Sequence, residues 1–173
     1  MVHLNAAYNL ARWLMSDEAD ARDVVQIASL RALTYLDSLR GDDAKAWYLS
    51  IVRNCCMTAL SERSGRIADM DVDAVVLGNE ELETLGSSGA IPGLDPENEM
   101  MRRDNRAHVN QALQQLPVGH REVLILREME DMSYDEIAAV MDVPIGTVMS
   151  RLSRARFLFK QAFLGLNQGK HHE

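Results

Sequence analysis

Apolar side chains recur every three or four residues through most of this chain, the spacing that gathers them on one side of a helix. Over residues 4 to 15 the stripe is Leu4, Ala7, Tyr8, Ala11, Leu14 and Met15. It breaks at Ser16, whose hydroxyl is suited to cap a following helix. That following helix is the clearest of the N-terminal half. Over 17 to 39, Ala21, Val24, Val25, Ala28, Ala32, Tyr35, Leu36 and Leu39 make one continuous face predicted to be buried, with Arg40 near its end and Gly41 stopping it. A third helix is predicted from about residue 43 to 61, after the acidic pair Asp42-Asp43, burying Tyr48, Ile51, Val52, Cys55 and Ala59. Three such helices can enclose one small core.

After Arg66 the periodicity is lost. Residues 67–98 mix Asp and Glu with Gly78, Gly86, Gly89, Pro92, Gly93 and Pro96, the composition of a linker, with room for a short helix near 71–77. Helical spacing returns over 97–115, opened by Pro96-Glu97, and again past Pro117, where Val123, Leu124, Leu126 and Arg127 share a helix. Ser133-Tyr134-Asp135-Glu136 fits a capping box and starts a short helix with Ile137, Ala138 and Met141 inward. Asp142-Val143-Pro144-Ile145-Gly146 stops it, and a long helix follows from about Thr147 to Leu164. The expected architecture is all-α: an N-terminal helical bundle over 1–66, a flexible acidic linker over 67–98, and a four-helix domain over 99–168.

The last two helices have the form of a helix-turn-helix, with the recognition helix second. At 100° per residue, Val148, Leu152, Ala155 and Phe159 form its core stripe, and Met149, Ser150, Ser153, Arg154 and Phe157 lie opposite. Arg151 and Arg156 flank that arc, so small hydroxyls stand between guanidinium groups, a surface for base edges at the centre and phosphates at the margins.

The formal net charge of -8 argues against a nucleic-acid partner until its distribution is considered. Every charged side chain from Ile67 to Met101 is acidic, whereas from Pro144 to Phe163 the charged ones are Arg151, Arg154, Arg156 and Lys160. An acidic protein thus carries a basic reading face. Composition supports helix: 47% of the 173 residues are hydrophobic while aromatics make up only 5%. No apolar run is long enough to span a membrane, and the N-terminus lacks a signal-peptide pattern, so a cytoplasmic location without membrane insertion is expected. The adjacent Cys55 and Cys56 exclude a disulfide scaffold and read as core filling, with a redox or metal role as the alternative. No Ser/His/Asp set, phosphate-cradling glycine loop or metal-ligand spacing occurs, and His108 and His120 stand alone, so neither catalysis nor a metal or other cofactor is expected. His171-His172 reads as a frayed tail.

Three blocks carry a family resemblance. Leu116-Pro117 through His120-Arg121-Glu122-Val123-Leu124, Ser133-Tyr134 through Glu136-Ile137-Ala138, and Pro144-Ile145-Gly146-Thr147-Val148-Met149-Ser150-Arg151-Leu152 together resemble the C-terminal domain of extracytoplasmic-function sigma factors. Asp20-Ala21-Arg22-Asp23-Val24-Val25-Gln26 resembles their polymerase-docking helix. Ala46-Trp47-Tyr48-Leu49 through Ile51-Val52-Arg53-Asn54 resembles the helix beside the promoter's -10 element.

The resemblance implies an alternative sigma factor whose partners are core RNA polymerase, promoter DNA and an anti-sigma factor. It assigns core-polymerase contact to Asp20, Asp23 and Gln26, with Ile27 and Leu30 beside them on an exposed face mixing acids with apolar groups. It assigns -10 contact to the loop with Arg40, Gly41 and Asp42, and to Trp47, Arg53 and Asn54, where an indole and an amide could hold a flipped base; Trp47 as plain core is the alternative. It assigns -35 contact to Thr147, Met149, Ser150, Arg151, Ser153, Arg154 and Arg156. The acidic linker would occupy cationic polymerase channels, or simply solubilise. Departures are Ile27, where the family commonly has an acid, Met149, where it often has a polar or basic residue, and a first helical stripe that starts almost at residue 1. The rival reading is a stand-alone helix-turn-helix regulator.

Overall fold

The computed structural model describes residues 3–39, 43–64 and 106–168, and every described element is helical. The first helix, α1 (Leu4–Met15), ends because Ser16 adopts a left-handed φ of 63° and turns its N–H back onto the Arg12 carbonyl. Asp17, in extended conformation, then caps α2 (Glu18–Thr34) by accepting from the Asp20 N–H at 3.0 Å. Ser16 therefore closes one helix rather than capping the next, since a left-handed residue lacks the extended backbone of an N-cap. Its hydroxyl points elsewhere, onto the Gln114 side chain.

The second helix is also shorter than its periodicity predicts. The Thr34 hydroxyl donates to the Leu30 carbonyl and the Ser38 hydroxyl to the Tyr35 carbonyl, and the chain tightens into a single 3-10 turn, Leu36–Ser38. The tighter winding swings Tyr35 and Leu36 out of the core stripe, so both are exposed, and Leu39 is only half-buried. Beyond it, α3 (Ala44–Ser64) opens with the Asp43 carboxylate accepting from the Ala46 N–H at 2.9 Å. Helices α1, α2 and α3 pack pairwise into a triangular bundle. Alanines at 7, 11, 21 and 28 keep the helices close, and Leu10, Leu14, Leu49 and Val52 fill the space between them.

In the C-terminal half, a helix over 106–114 (α4) precedes α5 (Val118–Leu124), which runs on as one π-helical stretch, Ile125–Met129. The predicted capping box is complete on α6 (Tyr134–Met141): Ser133 Oγ accepts from the Glu136 N–H, and Glu136 Oε2 from the Ser133 N–H at 2.6 Å. Asp142, left-handed at φ 54°, terminates it. The last helix, α7 (Ile145–Gln168), begins directly after Pro144, two residues earlier than expected, so Gly146 belongs to its first turn and the turn between the helices is Asp142, Val143 and Pro144.

The halves are packed on one another: α3 lies against α6, and α1 against α5 and the π stretch. One continuous buried cluster runs from Ala6 to Ala155. The expected linker over 67–98, the short helix near 71–77, Arg40, Gly41, Asp42 and the His171-His172 tail lie outside the described residues. Among the described residues no helix is long and apolar enough to cross a membrane.

Candidate nucleic-acid interface

The outer arc of α7 follows from its sequence. Val148, Leu152 and Ala155 are buried, which leaves Met149, Ser150 and Ser153 on the open side, Met149 at 51% exposure. Ser150 donates its hydroxyl to the Thr147 carbonyl, holding it close to the helix. Arg154 lies half-exposed with its guanidinium 5.8 Å from the centroid of the Phe157 ring, a contact that braces it along the helix. Arg156 is half-buried and forks onto Glu128 Oε1 at 2.7 and 3.2 Å, so part of the basic arc is neutralised within the chain.

Arg151 departs from the sequence expectation. It is buried rather than flanking the outer arc. Three residues after Val148 and four before Ala155, it stands at the edge of the core stripe, and α5 packs over it: a Cβ at Gly119 would lie 3.9 Å from its Nη1. Arg53, expected at the -10 element, is likewise enclosed. Its Nε donates to Glu122 Oε1 at 2.6 Å across the junction of the two halves. Asn54 is exposed, and Trp47 is half-buried against the core, which accommodates either of its two readings.

On α2, Asp23 and Gln26 are exposed, as are Ile27 (47%) and Leu30 (66%). Leu33, Tyr35 and Leu36 extend this ridge, an apolar continuation that the helical pattern had assigned in part to the core. Asp20 is partly occupied within the chain: Arg63 pairs with it at 2.5 Å and holds its carboxyl below the ordinary carboxylate range.

The functional-site reading of the sequence missed a polar junction. Glu122 has no exposed surface; Oε1 is held by Arg53, and burial drives its carboxyl upward in pKa against the pull of Arg53 and Arg151. Arg121 donates to the carbonyls of Leu113, Gln114 and Leu116, capping the end of α4, and reaches across to the Trp13 carbonyl at 2.9 Å. Lys45 binds the Glu130 carbonyl at 2.6 Å and its Oε2 at 3.3 Å, and Asn9 donates to Glu130 Oε1. Cys55 and Cys56 are free and buried, with burial first, then Cys55 and Glu122, pushing the Cys56 thiol up to about 12. A signal for Glu122 was present: it stands three and four residues before Ile125 and Leu126, on an otherwise apolar stripe. Among the described residues no group of three or more His, Cys, Asp and Glu is placed to hold a metal ion.

Comparison with known proteins bears on both halves. Residues 1–66 match the family model for Sigma-70 region 2, and residues 107–156 that for Sigma-70, region 4. The chain is 41% identical over 139 residues to the ECF RNA polymerase sigma-E factor of Escherichia coli (strain K12), covering 79% of this chain and 70% of that protein. It is 40% identical over 142 residues to the RNA polymerase sigma-H factor of Pseudomonas aeruginosa, covering 81% and 71%. Among solved structures, the sigma factor RpoE bound to the anti-sigma factor NepR, from Bartonella quintana, superposes with a TM-score of 0.66 at 28% identity over 93% of this chain and 91% of that one. The structure of CnrH in complex with the cytosolic domain of CnrY shares the fold, with a TM-score of 0.60 at 24% identity over 92% and 80%. Two region models in the expected order, each on a half whose helices were anticipated from the sequence, establish that this chain belongs to the extracytoplasmic-function family of RNA polymerase sigma factors.

Proposed function

We propose that the chain divides its work as an alternative sigma factor between two modules. Residues 1–66 bind core RNA polymerase through Asp23, Gln26, Ile27 and Leu30, with Asp20 at the margin. They engage the -10 element through the loop of Arg40, Gly41 and Asp42 together with Trp47, Arg53 and Asn54. Residues 99–168 read the -35 element through Thr147, Met149, Ser150, Ser153, Arg154 and Arg156, while Arg151 supports the recognition helix from inside. Residues 67–98 act as the acidic tether. The protein works in the cytoplasm by binding alone, without a chemical step or cofactor, and an anti-sigma factor restrains it.

The observation that carries this reading is the pairing of two exposed surfaces in one chain. The α2 ridge, with Leu30 66% exposed beside Asp23 and Gln26, mixes acidic and apolar groups and suits a protein partner. The outer arc of α7, with Met149, Ser150, Ser153 and Arg154, suits a major groove. Transcription in vitro, with the chain and core polymerase added separately and together, tests it. Promoter-specific initiation is expected only with both. Tight operator binding by the chain alone, with no dependence on polymerase, would instead identify a stand-alone regulator.

A further inference from the structure

The first two turns of α7 differ in chemistry from the rest of its outer arc. From Val143 to Ser150 no side chain carries a charge, and the helix starts at Ile145, directly after Pro144. Two large apolar groups stand open to solvent there, Ile145 at 39% and Met149 at 51% exposure. Being four residues apart, they lie one above the other on a single face. Val148 and Leu152 hold the core side, so Ile145 and Met149 are not a displaced part of it. The nearby hydroxyls offer little in competition. Thr147 is half-buried, and Ser150 donates its proton to the Thr147 carbonyl, which leaves only its oxygen to accept.

The arginines of α7 are engaged away from this end. Arg151 is buried beneath α5, Arg156 forks onto Glu128, and Arg154 is braced by the Phe157 ring, three residues further along. In a helix-turn-helix the N-terminal residues of the second helix are the ones that meet base edges. Here those residues are apolar, whereas the major groove presents one apolar feature, the methyl group of thymine. Pressing this strip on a G·C pair would strip water from the donors and acceptors of both bases without replacing their hydrogen bonds, which is unfavourable. Pressing it on a thymine methyl removes apolar surface from water on both sides, which is favourable. Met149 is the better placed of the two, being more exposed, unbranched and able to reach and adapt through three rotatable bonds.

We propose that Met149 is a specificity-determining residue of the promoter contact, selecting a thymine in the -35 element by packing on its methyl group, with Ile145 closing the contact against water. The inference rests on the assignment of the α7 outer arc to the -35 element made above, and adds which base that arc prefers. Because the contact is apolar, the preference for thymine is independent of ionic strength, while total affinity, which includes phosphate contacts, falls as salt rises.

The test uses the full-length chain with core polymerase. A promoter library randomised across the -35 element is selected by holoenzyme made with wild type and with Met149→Gln, an exchange at an exposed position that leaves the core intact and is checked by circular dichroism. Wild type is expected to enrich thymine at one position, on either strand. Met149→Gln should lose that enrichment and turn toward adenine, whose ring nitrogen and exocyclic amine suit a carboxamide. Replacing the enriched thymine by deoxyuridine removes the methyl group alone and should weaken wild-type binding about fourfold, the value for one small apolar group taken from water, at low and at raised salt alike. The same replacement should leave Met149→Gln nearly unaffected. Equal binding of the thymine and deoxyuridine promoters by wild type would overturn the proposal, as would a thymine preference that survives in Met149→Gln or an element selected with no thymine in it. Loss of core polymerase binding by Met149→Gln, with base preference intact, would give the strip to the polymerase and overturn it equally. Holoenzyme that selects no element at all, and behaves no differently with Arg154→Ala, would strike the sigma-factor reading itself and the proposal with it.

Discussion

Replacement of Arg53 by methionine is the most informative perturbation of the fold. The guanidinium and the Glu122 carboxylate are enclosed together, with side-chain exposures of 9% and 0% and a separation of 2.6 Å. Removing the guanidinium leaves a carboxylate without water, accompanied only by the charge of Arg151, whose Nη1 makes no hydrogen bond. Loss of one member of an enclosed pair costs about 3–5 kcal/mol, against about 0–1 kcal/mol for an exposed pair. With a urea m-value of about 2 kcal/mol/M, such a loss lowers the unfolding midpoint by roughly 2 M. The protein has two escapes: without Arg53 the buried carboxyl, already driven upward by desolvation, takes up a proton, and parting of the halves rehydrates Glu122 and limits the loss to the docking energy. Urea unfolding followed by circular dichroism should therefore be read beside hydrogen exchange on α3 and α6, where protection is expected to fall first. Arg53→Met with Glu122→Leu should recover part of the loss, though not all, because Arg151 then lacks its carboxylate. A double-mutant cycle should return a coupling of about 1–3 kcal/mol. A coupling under about 0.5 kcal/mol would show that the pair is worth no more than a surface contact and would refute the reasoning.

The remaining expectations concern the two working surfaces. Ser133→Ala removes the hydroxyl that accepts from the Glu136 N–H and should cost about 1 kcal/mol, seen as a lower melting temperature with reduced protection of α6. The same cap carries a pH signature. The Ser133 N–H, followed by the Ser133 hydroxyl, holds the Glu136 carboxyl below its ordinary value of 4.5. A carboxyl lowered in the folded state contributes stability above its unfolded value, and that contribution is lost as pH falls through the folded value. Thermal melts between neutral and acid pH should show a decline below about pH 4.5 that is smaller in Glu136→Gln. On the other surface, Leu30→Asp places a charge at a 66% exposed apolar position and should weaken core polymerase binding at least tenfold, about 1.4 kcal/mol, with unchanged helicity. Unaltered affinity in a polymerase-binding titration would remove the α2 ridge from the interface.

Much of the architecture was legible from local pattern alone. The capping box at Ser133-Glu136, the stop before Pro144 and the core stripe Val148, Leu152 and Ala155 depend on residues within a turn or two of each other, so spacing sufficed to place them. Local chemistry was also where the reading went astray at helix ends. The Ser16 and Asp17 roles depend on which residue turns left-handed, and the end of α2 depends on the Thr34 and Ser38 hydroxyl bonds, neither of which hydrophobic spacing records.

From the sequence by itself came the helices, the basic arc of α7, the acidic and apolar face of α2 and the family to which those motifs point, because each is a property of near neighbours in the chain. Only the tertiary structure decided the fate of Arg53 and Arg151. A helical wheel shows a direction but not what stands in that direction: for Arg53 it is the carboxylate of Glu122, 69 positions along the chain, and for Arg151 it is helix α5 at Gly119. Burial of a charge is settled by its partner and by access of water, both of which are set when the helices pack.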